Sequence, residues 1–134
     1  MPNTFALLGI KESVITGNVE VDCVISNQWE TGYIVDVTIK NSSDKPIEDW
    51  EMVFSLPKEI KNIWNGRIAK SQTGGYRIQN LGYNGNIKPR ESVSFGFECA
   101  TKNFEVIYPE QIIINQMVVS ICKAFMFQQG YTFA

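Results

Sequence analysis

The chain contains no histidine. That absence removes the commonest general base, the commonest metal-ligating side chain and any histidine-dependent nucleophile triad. Cysteine is scarce and odd in number. Cys23, Cys99 and Cys122 show no C-x-x-C spacing, which argues against a zinc site and a fully paired disulfide framework, though one pair is compatible with the count. No Asp/Asn cluster has the spacing of a calcium loop, so neither a metal nor a cofactor is expected. Long apolar runs are missing too: Phe5 to Ile10 is too short for a membrane span or a signal h-region, and Met1-Pro2-Asn3-Thr4 carries no basic n-region. The expectation is either a cytosolic protein or a module separated from a secreted parent. An excess of charge is also lacking. The 12 basic and 14 acidic residues are dispersed and sum to −2, leaving no electrostatic footprint for nucleic acid or anionic lipid, so a neutral ligand suits the chain better.

What is present is alternation. With 134 residues, 44% of them hydrophobic, the chain can bury one core and is read as a single domain. Val19, Val21, Cys23 and Ile25 share one face of a strand against Glu20, Asp22 and Val24. Tyr33, Val35, Val37 and Ile39 do so against Ile34, Asp36, Thr38 and Lys40. After the turn Asn41-Ser42-Ser43-Asp44-Lys45-Pro46, the series Trp50, Met52, Phe54 and Leu56 points inward, and Val93, Phe95, Phe97 and Cys99 repeat the pattern. Weaker strands are read at residues 67–71, 76–79 and 111–115, separated by Gly74-Gly75, Asn84-Gly85 and Lys88-Pro89-Arg90. The expected fold is all-β: an antiparallel β-sandwich of two packed sheets, immunoglobulin-like or jelly-roll-like. Residues 1–18 read as a lead-in with a short strand at Phe5 to Ile10, 19–119 as the sandwich, and 120–134 as an apolar tail. Over residues 117–134 periodicity does not arbitrate between a helix (Val118, Ile121, Cys122, Phe125, Met126) and a strand interrupted by Lys123 (Val119, Ile121, Phe125, Phe127).

Trp50 belongs to the core by its place in the inward series. Trp29, Trp64 and Tyr83 do not. Each lies in an amide- and glycine-rich stretch: Asn27-Gln28-Trp29-Glu30-Thr31-Gly32, Asn62-Ile63-Trp64-Asn65-Gly66 and Gly82-Tyr83-Asn84-Gly85. A single loop aromatic ordinarily folds back to cap a sandwich. Three in the same setting mark an interaction surface, because large apolar rings are costly to expose. A pyranose offers a matching partner: its axial C–H face lies flat on an indole or phenol, while Asn27, Gln28, Asn62, Asn65 and Asn84 can exchange hydrogen bonds with hydroxyls at the ring edge.

These residues also form a recognisable series. Asn27-Gln28-Trp29-x-x-Gly32-Tyr33, Val37-Thr38-Ile39-Lys40-Asn41, Trp50, Phe54-Ser55-Leu56-Pro57, Asn62-x-Trp64-Asn65, Tyr83-Asn84-Gly85-x-Ile87-x-Pro89 and Ser92-Val93-Ser94-Phe95-Gly96-Phe97 together resemble the family 2 carbohydrate-binding modules of bacterial plant-cell-wall-degrading enzymes, from about Val19 to Asn115. The resemblance implies a non-catalytic, extracellular module that adsorbs to crystalline cellulose or a related insoluble β-glucan. It implies that Trp29, Trp64 and Tyr83 form a flat ligand-binding strip, and that a linked catalytic domain benefits from the adsorption. Xylan-binding members carry an arginine three residues after the first binding tryptophan. Here that position is Gly32, which implies the flat, cellulose-type surface, and Tyr83 in place of the usual third tryptophan implies a lower affinity.

Two departures accompany the resemblance. The family's terminal disulfide positions correspond to Val19 and Val119, Cys23 and Cys99 reading as buried free thiols acting as small hydrophobes. The tail after Asn115 is longer and more apolar than the family's ending, which is compatible with an extra strand packing with Phe5 to Ile10 or with an oligomer contact. Chitin and xylan remain alternative ligands. A structural or adhesion spacer, and a carboxylate-dependent glycosidase using Glu30, Asp36, Glu51 or Glu98, are the alternative classes; the solvent-facing positions of most of these carboxylates argue against the glycosidase.

Overall fold

The alternating stretches fold into strands whose apolar faces meet between two sheets. In the computed structural model, residues 18–115 are described throughout, together with the backbone of 117–118 and 122–125. The elements are β1 (Val19–Trp29), β2 (Gly32–Asn41), β3 (Glu51–Ser55), β4 (Ile60–Trp64), β5 (Arg67–Gln72), β6 (Gly75–Gln79), β7 (Ser92–Ala100), β8 (Glu110–Ile114), β9 (Met117–Val118) and β10 (Cys122–Phe125). One five-stranded sheet runs β10-β1-β2-β7-β4 and the other β5-β6-β3-β8-β9. No helix occurs among the described residues.

Three features refine the sequence reading. Among the described residues all strand pairings are antiparallel except one: β10 runs parallel to β1, with Val21 opposite Cys122 and Val24 opposite Phe125. Part of the 120–134 tail is therefore a strand built onto the sandwich, whereas Phe5 to Ile10 and Val119 lie outside the described residues. Second, Ile60–Trp64 is an edge strand rather than a turn. Third, Trp29 ends β1 rather than lying in a connection.

The inward faces supply the core. Trp50 stacks on Phe95 with ring centroids 5.6 Å apart, and Phe54 stacks on Phe97 at 5.9 Å, so β3 of one sheet is stitched to β7 of the other. Trp50 is fully buried, and its indole N–H reaches a partner: Nε1 donates to the Asn84 carbonyl at 2.7 Å. The Trp50 carbonyl in turn accepts from Asn80 Nδ2 at 2.9 Å, and the Trp50 amide donates to Gly85 O. The core thus holds the 80–85 loop by three bonds.

Cys23 and Cys99 are buried, as expected of thiols on inward faces. Tyr33 beside Cys99 is also buried, its hydroxyl donating to Ile107 O at 2.7 Å and tying the β7–β8 connection to β2. Burial pushes the Cys99 thiol from 9.0 up to about 11, a rise that the Tyr33 hydroxyl and Lys58 partly oppose and Glu98 augments. Burial likewise raises the Tyr33 phenol above its ordinary value.

Two outcomes follow. Because the folded thiol's pKa lies above its unfolded value, the contribution to stability is complete below pH 9 and is lost as pH rises from 9.0 toward about 11. Tyr33 adds a loss of the same sign at its own higher range. Denaturation midpoints measured across this window should fall, and Cys99→Ala should flatten the early part of the fall. Trp50→Phe keeps a stacking ring but leaves the Asn84 carbonyl without its donor, so urea melts should show a loss of roughly 1–3 kcal/mol, with a further contribution from the smaller ring.

Candidate functional site

Strict alternation along β1 would send Trp29 into the core with Val19, Val21, Cys23 and Ile25. It does not, because the β1–β2 register shifts between Ile25 and Asn27: Ile25 faces Val35, but Asn27 faces Ile34 and Trp29 faces Gly32. Ser26 is the extra residue of a β-bulge, and one extra residue moves every later side chain to the opposite face. The same device recurs in β4. Ile60 faces Cys99, the register shifts, and then Asn62 faces Glu98 and Trp64 faces Gly96. Ser26-Asn27-Gln28-Trp29 and Lys61-Asn62-Ile63-Trp64 are thus two copies of one arrangement: a bulge residue, an outward asparagine and, three residues on from the bulge, an outward tryptophan.

Each tryptophan ends opposite a glycine and lies on it. A Cβ placed on Gly32 would meet Cζ2, Cε2 and Nε1 of Trp29 at 2.7, 2.8 and 2.9 Å. On Gly96 the same three atoms of Trp64 would be met at 2.8, 2.7 and 2.5 Å. Three contiguous ring atoms at nearly equal distance describe an indole lying across its glycine with one face against the sheet. Trp64 is consequently 38% exposed, and Trp29, read from the sequence as exposed, is half-buried. The two seats are related through β7: Gly32 pairs with Ala100, four residues from Gly96, a distance of about 14 Å along the strand. Between them runs the outward row Asn27, Ile34, Glu98 and Asn62.

Tyr83 joins from the loop that Trp50 holds. It is 75% exposed, and its hydroxyl donates to Asn65 Oδ1 at 2.9 Å, beside Trp64. Asn65 occupies the left-handed region at φ 62, which turns the chain from β4 into β5. Asn84 bridges the same two loops, its Nδ2 donating to Asn65 O and its Oδ1 accepting from Leu81 N, both at 2.8 Å. Both ends of the Asn84 amide are therefore committed to scaffold. Its acceptor closes the tight 81–84 turn. Asn62 donates to Glu98 Oε1 at 2.7 Å, and Asn27 accepts from the Gln28 amide at 2.9 Å. Trp29, Gly32, Asn27, Asn62 and Trp64 thus share the outer face of one sheet, and Asn65 and Tyr83 adjoin its Trp64 end. Gln28 lies opposite the inward-facing Tyr33 and is half-buried.

Gly96 was not singled out in the sequence, although a glycine between Phe95 and Phe97 in a strand interior signals a close approach. Of the candidate carboxylates, Asp36 lies on the outer face opposite Gly96, diagonal to Glu98. Glu51 pairs with Arg77 on the other sheet, Glu98 is engaged by Asn62, and Glu30 lies in the β1–β2 turn. Among the described residues, no three His, Cys, Asp or Glu side chains are grouped to hold a metal.

Comparisons with known proteins identify the family and the fold. The family model described as the cellulose binding domain matches residues 19–118. The chain is 39% identical over 75 residues to endo-1,4-beta-xylanase A of Cellvibrio japonicus, covering 55% of this chain and 12% of that protein. It is 35% identical over 74 residues to a cellulose/chitin binding protein of Mycobacterium bovis, covering 54% of this chain and 51% of the relative. The chitin-binding domain of Chi18aC from Streptomyces coelicolor shares the fold, with a TM-score of 0.64 at 21% identity over 81% of this chain and all of that domain. An all-β sandwich presenting outward aromatics, matched over residues 19–118, belongs to the family 2 cellulose-binding domains, which are non-catalytic carbohydrate-binding modules.

Proposed function

We propose that this module adsorbs to an insoluble β-1,4-linked polysaccharide, cellulose foremost, through Trp29, Trp64 and Tyr83. The observation that carries the reading is the pair of indoles seated on Gly32 and Gly96, each with one face on the sheet and the other toward solvent. A ring held this way offers a broad apolar plane to the C–H face of a pyranose, and its orientation is fixed before the ligand arrives, so little entropy is lost on contact. Seats about 14 Å apart address different sugar units of a chain rather than one. Asn27 and Asn62 lie in the row between them and serve the hydroxyls, with Asn65 beside Tyr83 doing the same at the far end.

Chitin is the second ligand to test, favoured by the relative named as a cellulose/chitin binding protein. Xylan is disfavoured by Gly32, since a side chain there would lift Trp29 off the sheet. A linked catalytic domain and an extracellular site of action complete the reading. The relatives matched include a xylanase of which this chain spans 12%, so a module of this kind works by holding an attached activity at raised local substrate concentration.

Depletion isotherms on microcrystalline cellulose, chitin and xylan powders test the reading. Trp64→Ala should weaken retention on cellulose by on the order of 1 kcal/mol, the range of an aromatic contact, with circular dichroism unchanged. Retention equal to wild type would remove Trp64 from the site. Gly96→Val should weaken retention by a similar amount, about 1 kcal/mol, while thermal stability holds, because valine suits a strand but its side chain displaces the indole. Wild-type adsorption by Gly96→Val would show that the seat does not matter.

A further inference from the structure

A fourth large aromatic, Phe104, is 57% exposed in the β7–β8 connection. Its position is unusual in two ways. The Glu105 amide donates to Lys102 O at 3.0 Å, closing a four-residue turn whose central residues, Asn103 and Phe104, have φ of 54 and 62. Two consecutive positive φ values are the signature of a type I′ turn, in which the second central position strongly favours glycine. A phenylalanine stands there instead, in a conformation that a bulky side chain rarely adopts. The ring is neither buried in return for that strain nor set on a loose loop.

The turn is tied to the Trp29 end of the aromatic face. The Phe104 amide donates to Glu30 O at 3.0 Å, and the Thr101 amide donates to Thr31 O at 2.9 Å, so both residues of the β1–β2 turn hold this connection. Lys58 pairs with Glu105, and Ile107 is held by the Tyr33 hydroxyl. Phe104 is therefore a pinned, solvent-facing ring whose backbone abuts the residue next to Trp29.

We infer that Phe104 is an additional sugar-binding aromatic that lengthens the strip beyond Trp29, opposite the Tyr83 end. The inference rests on the polysaccharide-binding reading above. Its occupant is the same β-1,4-linked chain, running over Tyr83, Trp64 and Trp29 and reaching one contact further. The strain at φ 62 is retained because glycine, the residue the turn prefers, has no ring to present.

Phe104→Gly separates this role from a structural one, because the two predict opposite signs. Glycine relieves the strained backbone, so the thermal midpoint should hold or rise, while retention of the full chain on microcrystalline cellulose should weaken by about twofold to tenfold, as for loss of one aromatic contact. Phe104→Tyr, which keeps a ring, should restore retention. Run beside Trp64→Ala, the experiment distinguishes the levels of the argument. Unchanged retention in Phe104→Gly with reduced retention in Trp64→Ala would end the strip at Trp29 and overturn the inference alone. A wild-type protein retained on neither cellulose nor chitin would overturn the binding reading and this inference together. A fall in thermal midpoint with unchanged retention would assign Phe104 to the scaffold.

Discussion

The outer face depends on two single-residue insertions. Ser26 in β1 and Lys61 in β4 each shift the ladder by one, and each shift converts an inward series into an outward tryptophan three residues later. Without the bulges, Trp29 and Trp64 would face the layer already filled by Tyr33, Phe95 and Phe97. A one-residue slip in a two-faced strand exchanges its surfaces wholesale, which is why so small a change redirects two large rings. The asparagine that follows each bulge then becomes part of the same outward row between the rings.

What the bulges aim, the glycines flatten. Gly32 and Gly96 leave room for an indole to lie across the sheet instead of standing from it. Sheet pairing supplies the rigidity: Gly96 lies between Asp36 of β2 and Trp64 of β4, and Gly32 between Trp29 of β1 and Ala100 of β7. The aromatic face and the scaffold are thus the same hydrogen-bond ladder. The far end is held differently, since the Tyr83 loop hangs on the buried Trp50 through Asn84 and Gly85, and Tyr83 itself on Asn65. One tryptophan is thereby structural while the other two face outward, although all three are strand or near-strand residues.

A module built in this way has little to move. The described residues place the aromatic face on extended strands and on turns fixed by backbone bonds, an arrangement suited to a ligand that is itself an ordered solid. The family to which the chain belongs is one of non-catalytic binding modules.

Much of this was legible in the residues alone. Alternation in Val19 to Ile25, Tyr33 to Ile39, Trp50 to Leu56 and Val93 to Cys99 determined the strands and the core, because burying one face of a sheet demands a period of two. The amide- and glycine-rich settings of Trp29, Trp64 and Tyr83 set these rings apart from Trp50. Alternation by itself, however, would have turned Trp29 inward, and it gave no strand at Ile60–Trp64, where one extra residue breaks the period within a five-residue element. Which face those rings take, that Gly96 seats one of them, that Asn84 serves the loop, and that Phe104 stands beside the Trp29 turn were decided by tertiary structure. The reason is that a bulge is a property of the pairing between two strands: its register exists only once the partner strand is in place.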